Sequence, residues 1–390
     1  MKIFVLASRF PYPLEKGDKL RMYFQIRELS KYHDIVLCAL TEEAVSENDR
    51  TQVEPFCSAI YILPLRKVRI FLNLVQALFN RQPFQVAYFS DARLRREIHV
   101  IIEREKPGHI YCQLIRTAEF VRDIPIPKTL DYMDNFSAWT GKIARQVSFP
   151  VSLFWRWESR KVAAFERTVF SYFDHHTIIS KQDRDALGFI GKSAIHCVPN
   201  GVDTEFFQPI CKPEKPRYDV AFAGNMGYYN NIKAAVMLVK DVMPRVWEVR
   251  PNASVLLAGA RPAAGVLRLA QSNVMVSGWM DDIRDAYASA AIFVAPIFLA
   301  VGLQNKILEA MSMGVPCITT SSINEAVGAT PGEEILLADE ASGFAAHILA
   351  LIDDESERRR LGTAGQSFVR KNFSWQQAVQ KLNDLIKARE

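Results

Sequence analysis

Short apolar runs alternate with longer amphipathic stretches along the chain. Ile3–Ala7, Asp34–Ala39, His109–Gln113, Lys128–Tyr132 and His176–Ser180 read as strands, and Lys19–Tyr32 has the spacing of a helix. This alternation predicts a parallel sheet with helices on both faces. The stretch 206–218 (FFQPICKPEKPRY) interrupts it: proline-rich, charged and aperiodic, it reads as a linker. Strand-like runs then restart at Asp219–Ala223, Val255–Gly259, Val274–Gly278, Ala291–Ala295 and Pro316–Thr320. A last helical stretch is broken at Asn372-Phe373-Ser374, where Ser374 suits an N-cap. The expectation is two similar α/β domains in tandem facing a cleft, with ligands beyond the carboxyl ends of the strands. The domains are placed at 1–205 and 219–372, with 373–390 as a terminal helix.

Composition narrows this reading. A chain of 390 residues is long for a single core, which favours two domains. Its longest apolar stretch, Ala291–Leu303, is interrupted by Pro296 and Gly302, so no run is expected to span a bilayer. The start, MKIFVLASRFPYP, fits a first strand better than a signal peptide, and a cytoplasmic protein is expected. The six cysteines have no CxxC spacing and fit buried thiols in a reducing compartment. The histidines form no recognisable ligand set, and adjacent His175 and His176 on a strand would point to opposite faces, so no metal site is expected.

Charge is unevenly placed. Residues 1–200 carry 29 Lys+Arg and 22 Asp+Glu, a balance of +7, and the remainder sums to −2. The basic half holds two aromatic, amphipathic stretches, RKVRIFLNLVQALFNRQPF from Arg66 and RQVSFPVSLFWRWESRKVAAFERTVF from Arg145. Such stretches suit a membrane surface or nucleic acid, or equally a core-facing helix with a charged outer side. Nothing resembles a nucleic-acid-binding module.

The segment PIFLAVGLQNKILEAMSMGVPCITT, from Pro296, carries the most chemistry. It reads as a strand end, a loop at Val301-Gly302-Leu303-Gln304, and a helix bearing Asn305, Lys306 and Glu309. Unpaired amides and the positive dipole end at a helix start suit a phosphate. Lys306 would add a full charge, and Glu309 could hold ribose hydroxyls. The competing reading is a solvated Lys–Glu pair on an ordinary helix.

Five further segments carry a resemblance. They are FPYPLEKGDKLRMYFQIRELSKYHDIVL; FDHHTIISKQDRDAL with IHCVPNGVDTEFF; FAGNMGYYNNIKAA; VSGWMDDIRDAYASAAIFVAPI with GLQNKILEAMSMGVP; and FSWQQAVQKL. In this order they resemble the retaining nucleotide-sugar glycosyltransferases with two Rossmann-like domains, the GT-B fold, family-4-like. The resemblance is strongest to bacterial exopolysaccharide-associated transferases. It implies a UDP- or GDP-linked sugar as co-substrate with no other cofactor, and a lipid-linked or polysaccharide acceptor. It also implies a terminal helix that crosses back to the first domain. The implied nucleotide-sugar residues are Gly17, Arg21, Gly224, Asn225, Met226, Gly278, Trp279, Ile283, Gly302, Leu303, Gln304, Asn305, Lys306 and Glu309. The family carries two Glu residues flanking the phosphate loop. Glu309 fits the second, but Val301 stands at the first, which puts donor-sugar recognition in question.

Stabilising a diphosphate leaving group needs a bound metal or preorganised donors with a cation. Asp183-Arg184-Asp185 has the spelling of a metal motif but reads as a solvated helix face, so Lys306 with the loop amides is assigned that role. Arg21 is read as a phosphate contact or a surface helix arginine. Asp131 and Asp134 close a strand and face the expected cleft. Either would serve as base or sugar holder, while N-capping suits Asp134 or Asn135 equally. Arg116 follows another strand and would also reach that region. Two alternatives share the fold: a sugar-nucleotide 2-epimerase and a non-catalytic partner protein. The basic first half favours an anionic or membrane-borne acceptor, hence a peripheral place at the inner face of the cell membrane.

Overall fold

The computed structural model describes residues 1–189, 191–210, 217–298 and 303–388. The chain divides into two compact units, Met1–Pro199 with Ala378–Glu390, and Asn200–Gln377. The first is built on strands β1 (Lys2–Ala7), β2 (Asp34–Thr41), β3 (Ala59–Pro64), β4 (His109–Gln113), β5 (Lys128–Asp131), β6 (His175–Ile178) and β7 (His196–Cys197). They form a sheet in the order β3-β2-β1-β4-β5-β6-β7, parallel throughout. Helices cover both faces, which is why Ile3, Phe4, Val5, Leu6 and Ala7 are all fully buried and the strand shows no polar alternation.

The second unit repeats the plan with β8 (Tyr218–Ala223), β9 (Val255–Ala258), β10 (Val274–Gly278), β11 (Ala290–Ala295), β12 (Cys317–Thr319) and β13 (Leu336–Leu337). Their order is β10-β9-β8-β11-β12-β13, again parallel. Phe222 and Phe293, on neighbouring strands, pack at the centre of this core. In each sheet the chain runs outward from one strand and then returns to that strand's other side. The reversals fall between β1 and β4 and between β8 and β11. Loops leaving adjacent strands there part in opposite directions and open a crevice beyond the strands' carboxyl ends.

The unit boundary falls earlier than the linker reading placed it. Val202 bridges to Ser374, and its amide donates to the Phe373 carbonyl at 2.6 Å, so residues after Pro199 belong with the second unit. Gly201 permits this contact, because a Cβ there would stand 2.4 Å from the Trp375 backbone nitrogen. Ser374 caps the helix Trp375–Lys387 through its hydroxyl, which accepts from Gln377 N at 3.2 Å. Most of that helix belongs to the first unit, where Asn383 Oδ1 meets His33 Nε2 at 2.6 Å. Residues 211–216 of the expected linker, with Cys211, lie outside the described residues. The five described cysteines are unpaired.

Candidate functional site

In the second unit the two loops at the sheet reversal bring distant residues together. β8 ends in Gly224, whose φ is +155° and whose added Cβ would meet Asn231 Nδ2 at 2.9 Å and Lys306 Cε at 3.1 Å. A side chain at 224 would therefore push Asn231 aside and crowd the lysine. Asn231 Nδ2 donates to the Asn225 carbonyl at 2.8 Å, fixing that amide and turning its Oδ1 to Lys306 Nζ, also at 2.8 Å. Gln304 Oε1 lies 3.5 Å from the same ammonium. Met226 is buried and its amide donates to the Ala260 carbonyl, tying the β8 loop to the loop after β9.

Lys306 stands in the first turn of the helix Asn305–Ser312, whose N-cap, Gln304, makes no side-chain cap hydrogen bond. Asn305 Oδ1 is buried with no hydrogen-bond partner among the described residues. Burial lowers the Lys306 pKa to about 8, and the charge of Glu309 opposes that shift. Glu309, one turn on, accepts from the Tyr287 hydroxyl at 2.7 Å. Burial raises its pKa, while Tyr287 and Lys306 pull it back. Lys306 and Glu309 are half-buried with separate partners, so they are not the solvated surface pair that their spacing also allowed. A cation, an uncapped helix start and a carboxylate one turn further along suit an anion flanked by hydroxyl groups.

Gly278 ends β10 at φ +70°, and the exposed Trp279 follows it. Ile283 and Leu303 are partly buried against the core. Gly302 and Val301 lie outside the described residues. The sequence reading passed over Asn231 and Tyr287. Both stand inside the resembling segments, but they are ordinary residue types there, and their partners Lys306 and Glu309 are 75 and 22 positions away.

The first unit corrects two expectations. Arg21 and Asp131 are both fully buried and paired with each other, Nε to Oδ2 at 2.6 Å and Nη2 to Oδ1 at 3.1 Å. Thr177 Oγ1 donates to Asp131 Oδ1 at 2.8 Å. Arg21 is thus neither a surface arginine nor placed as a phosphate contact, and Asp131 is not placed as a cleft-facing base. The pair ties the first helix, Gly17–Leu29, to β5. Gly17 opens that helix with empty space where a Cβ would stand.

Asn135, not Asp134, caps the helix Phe136–Gln146 by accepting from Ala138 N at 2.8 Å. Asp134 keeps an exposed carboxylate at the end of β5, after Met133 with φ 60°. Its pKa is raised to about 6, first by desolvation and then by the Asp183 charge, against Arg21. Asp183 is also not solvated: it is buried, and Ser180 Oγ donates to its Oδ2 at 2.5 Å.

Residues 217–354 match the family described as Glycosyl transferases group 1. The chain is 24% identical to an uncharacterized 44.6 kDa protein in the cps region of Klebsiella pneumoniae, over 95% of this chain and 96% of that one. It is 25% identical to a GDP-mannose-dependent monoacylated alpha-(1-6)-phosphatidylinositol monomannoside mannosyltransferase of Corynebacterium glutamicum, over 59% of this chain and 64% of that one. Among solved structures, Anabaena HepE in complex with UDP and glucose superposes with a TM-score of 0.69 at 14% identity, covering 100% of both chains. The second unit therefore carries the glycosyl transferases group 1 module, and the chain is a glycosyltransferase of the GT-B fold.

Proposed function

We propose that the chain moves a sugar from a UDP- or GDP-linked donor to a lipid-linked or polysaccharide acceptor, with retention of configuration and without a divalent metal. The observation that carries this is the Gly224–Asn231–Lys306 contact beside Glu309. Lys306 and the start of its helix balance the charge of the departing diphosphate. Asn225 and Met226 supply loop backbone to the same end, Glu309 takes the ribose hydroxyls, and the exposed Trp279 offers a flat ring at the end of β10. The relative named for GDP-mannose and the neighbour holding UDP support a nucleoside diphosphate donor. Retention rests on the family resemblance. Asp134, with a pKa near 6, is mostly ionised at neutral pH and suits acceptance of a proton from the acceptor hydroxyl.

A membrane-borne acceptor is supported by the helix Lys67–Phe79, in which only Asn73 and Ala77 are buried. Val68, Phe71, Leu72, Val75, Leu78 and Phe79 are exposed at helical spacing, so the apolar stripe faces outward. Arg66, Lys67 and Arg69 stand at its start, and charge with apolar insertion favours an anionic lipid surface. Among the described residues no helix is long and apolar enough to cross a membrane.

Incubation with a panel of nucleotide sugars tests the reading. Release of nucleoside diphosphate with sugar transferred to an acceptor extract is expected. Conversion of the sugar without transfer would make the chain an epimerase, and no turnover with any donor a non-catalytic partner.

A further inference from the structure

The two loops at the reversal of the first sheet each carry an arginine. Arg9 follows β1 and Arg116 follows β4. Arg9 is neutralised, its Nη1 donating to Asp18 Oδ2 at 2.5 Å. Arg116 is placed differently. Its Nε is buried and has no hydrogen-bond partner among the described residues. Its guanidinium carbon lies 5.5 Å from the ring centroid of Phe89 and 5.2 Å from that of Phe136.

Burial, then the charge of Arg9, lowers the Arg116 pKa to about 10, against the weaker pull of Asp18 and of Glu42, which is exposed. The residue before the arginine turn, Leu114, has φ 67° and ψ 149°, a conformation that ordinarily belongs to glycine. Its amide is held by the Asp131 carbonyl at 2.7 Å, and Thr117 Oγ1 donates to the Gln113 carbonyl at 3.0 Å. Rigid neighbours thus hold a strained turn that carries an arginine with rings beside it. Its buried Nε, with no carboxylate bonded to it among the described residues, is unfavourable in the empty protein. The guanidinium offers a planar fork of donors to an oxyanion. The crevice at a sheet reversal is where such a ligand binds in this class of fold.

We propose that Arg116 forms an oxyanion subsite in the first unit that takes a phosphate or carboxylate carried by the sugar acceptor. The proposal rests on the glycosyltransferase reading and narrows its acceptor to an anionic class. The test titrates the full chain, saturated with UDP or GDP so that the donor phosphate site is filled. The probes are inorganic phosphate, glucose 1-phosphate, glucuronate and, as the uncharged control, glucose, followed by calorimetry. Saturable binding of glucose 1-phosphate or glucuronate, but not glucose, is expected, and the preferred arm tells phosphate from carboxylate.

Arg116→Gln should weaken that binding at least tenfold and leave nucleotide affinity within twofold. Removal of this half-buried charge, unpaired among the described residues, should not lower its melting temperature. Should this variant fail to fold, Arg116→Lys keeps the charge without the planar fork and should bind at least fivefold more weakly. No saturable oxyanion binding, or unchanged binding in the variant used, overturns the proposal. So does an equal loss of nucleotide affinity, which would assign Arg116 to the donor. If neither nucleotide binds, the donor reading fails separately, and the same titrations without nucleotide still decide the subsite.

Discussion

Lys306 is a cation in a place where burial works against its charge. Its pKa of about 8 means that a rising share of the free protein has a neutral amine above that pH. A bound diphosphate favours the charged form, so nucleotide affinity should fall as pH rises from 7 to 9.5, and Lys306→Met should flatten the profile. Calorimetry across that range checks this, and equal slopes in both proteins would remove Lys306 from the phosphate site. For folding the sign is opposite. The unfolded lysine binds its proton more tightly, so this group adds stability to the empty protein as pH rises from about 8 towards its ordinary 10.5. Glu309→Gln should weaken nucleotide binding by about 1–3 kcal/mol, the scale of a charged hydrogen bond. Tyr287→Phe should have a smaller effect, since it leaves the carboxylate in place. Lys306 and Glu309 were readable because a cation and an acid at a helix start form a local pattern. Arg21 and Asp131 were misread because an ion pair between positions 110 apart leaves no local trace.

At the scale of elements, the helix Lys67–Phe79, from one of the two stretches whose sequence was ambiguous, has a structure that was not. Its apolar spacing is the same whether the stripe faces a core or a lipid. Only the packed unit shows Phe71 at 66% and Phe79 at 86% exposure. Phe71→Ser with Phe79→Ser should abolish co-sedimentation with anionic vesicles and change the melting temperature little, because exposed positions carry about ±0.5 kcal/mol. Equal recovery of wild type and variant on neutral and anionic vesicles would mean that the stripe has no lipid role. The terminal helix behaves in the opposite way. Val379, Leu382 and Ile386 are buried, so truncation after Gln377 should destabilise the first unit by about 5 kcal/mol or more. Loss of the corresponding transition in denaturant unfolding would confirm this; an unchanged profile would refute it.

At the scale of the whole molecule, the proposed chemistry has a simple signature. If Lys306 and a helix start neutralise the leaving group in place of a divalent ion, turnover should survive EDTA. Activity lost in EDTA and restored by Mg²⁺ or Mn²⁺ would assign that task to a metal. The two units are parallel sheets of the same plan, and this was legible because strands covered on both faces must be apolar throughout. The strands of β1, β4, β8 and β10 fall within a residue of their expected spans. The edge strand β3 and the two-residue β7 and β13 passed unseen, since their runs are too short or too exposed to stand out.

The sequence by itself determined the α/β class, the doubled plan and the helix that carries Lys306 and Glu309. Each of these is a periodicity or a motif, and so a property of neighbouring residues. Tertiary structure alone decided what those side chains meet. It turned Asn231 onto Lys306, Tyr287 onto Glu309 and Arg21 onto Asp131, and left Arg116 near two rings with its Nε unpartnered among the described residues. The reason lies in sheet order. A parallel sheet whose strand sequence reverses places loops from far-separated segments side by side, and no local pattern records which loops those are.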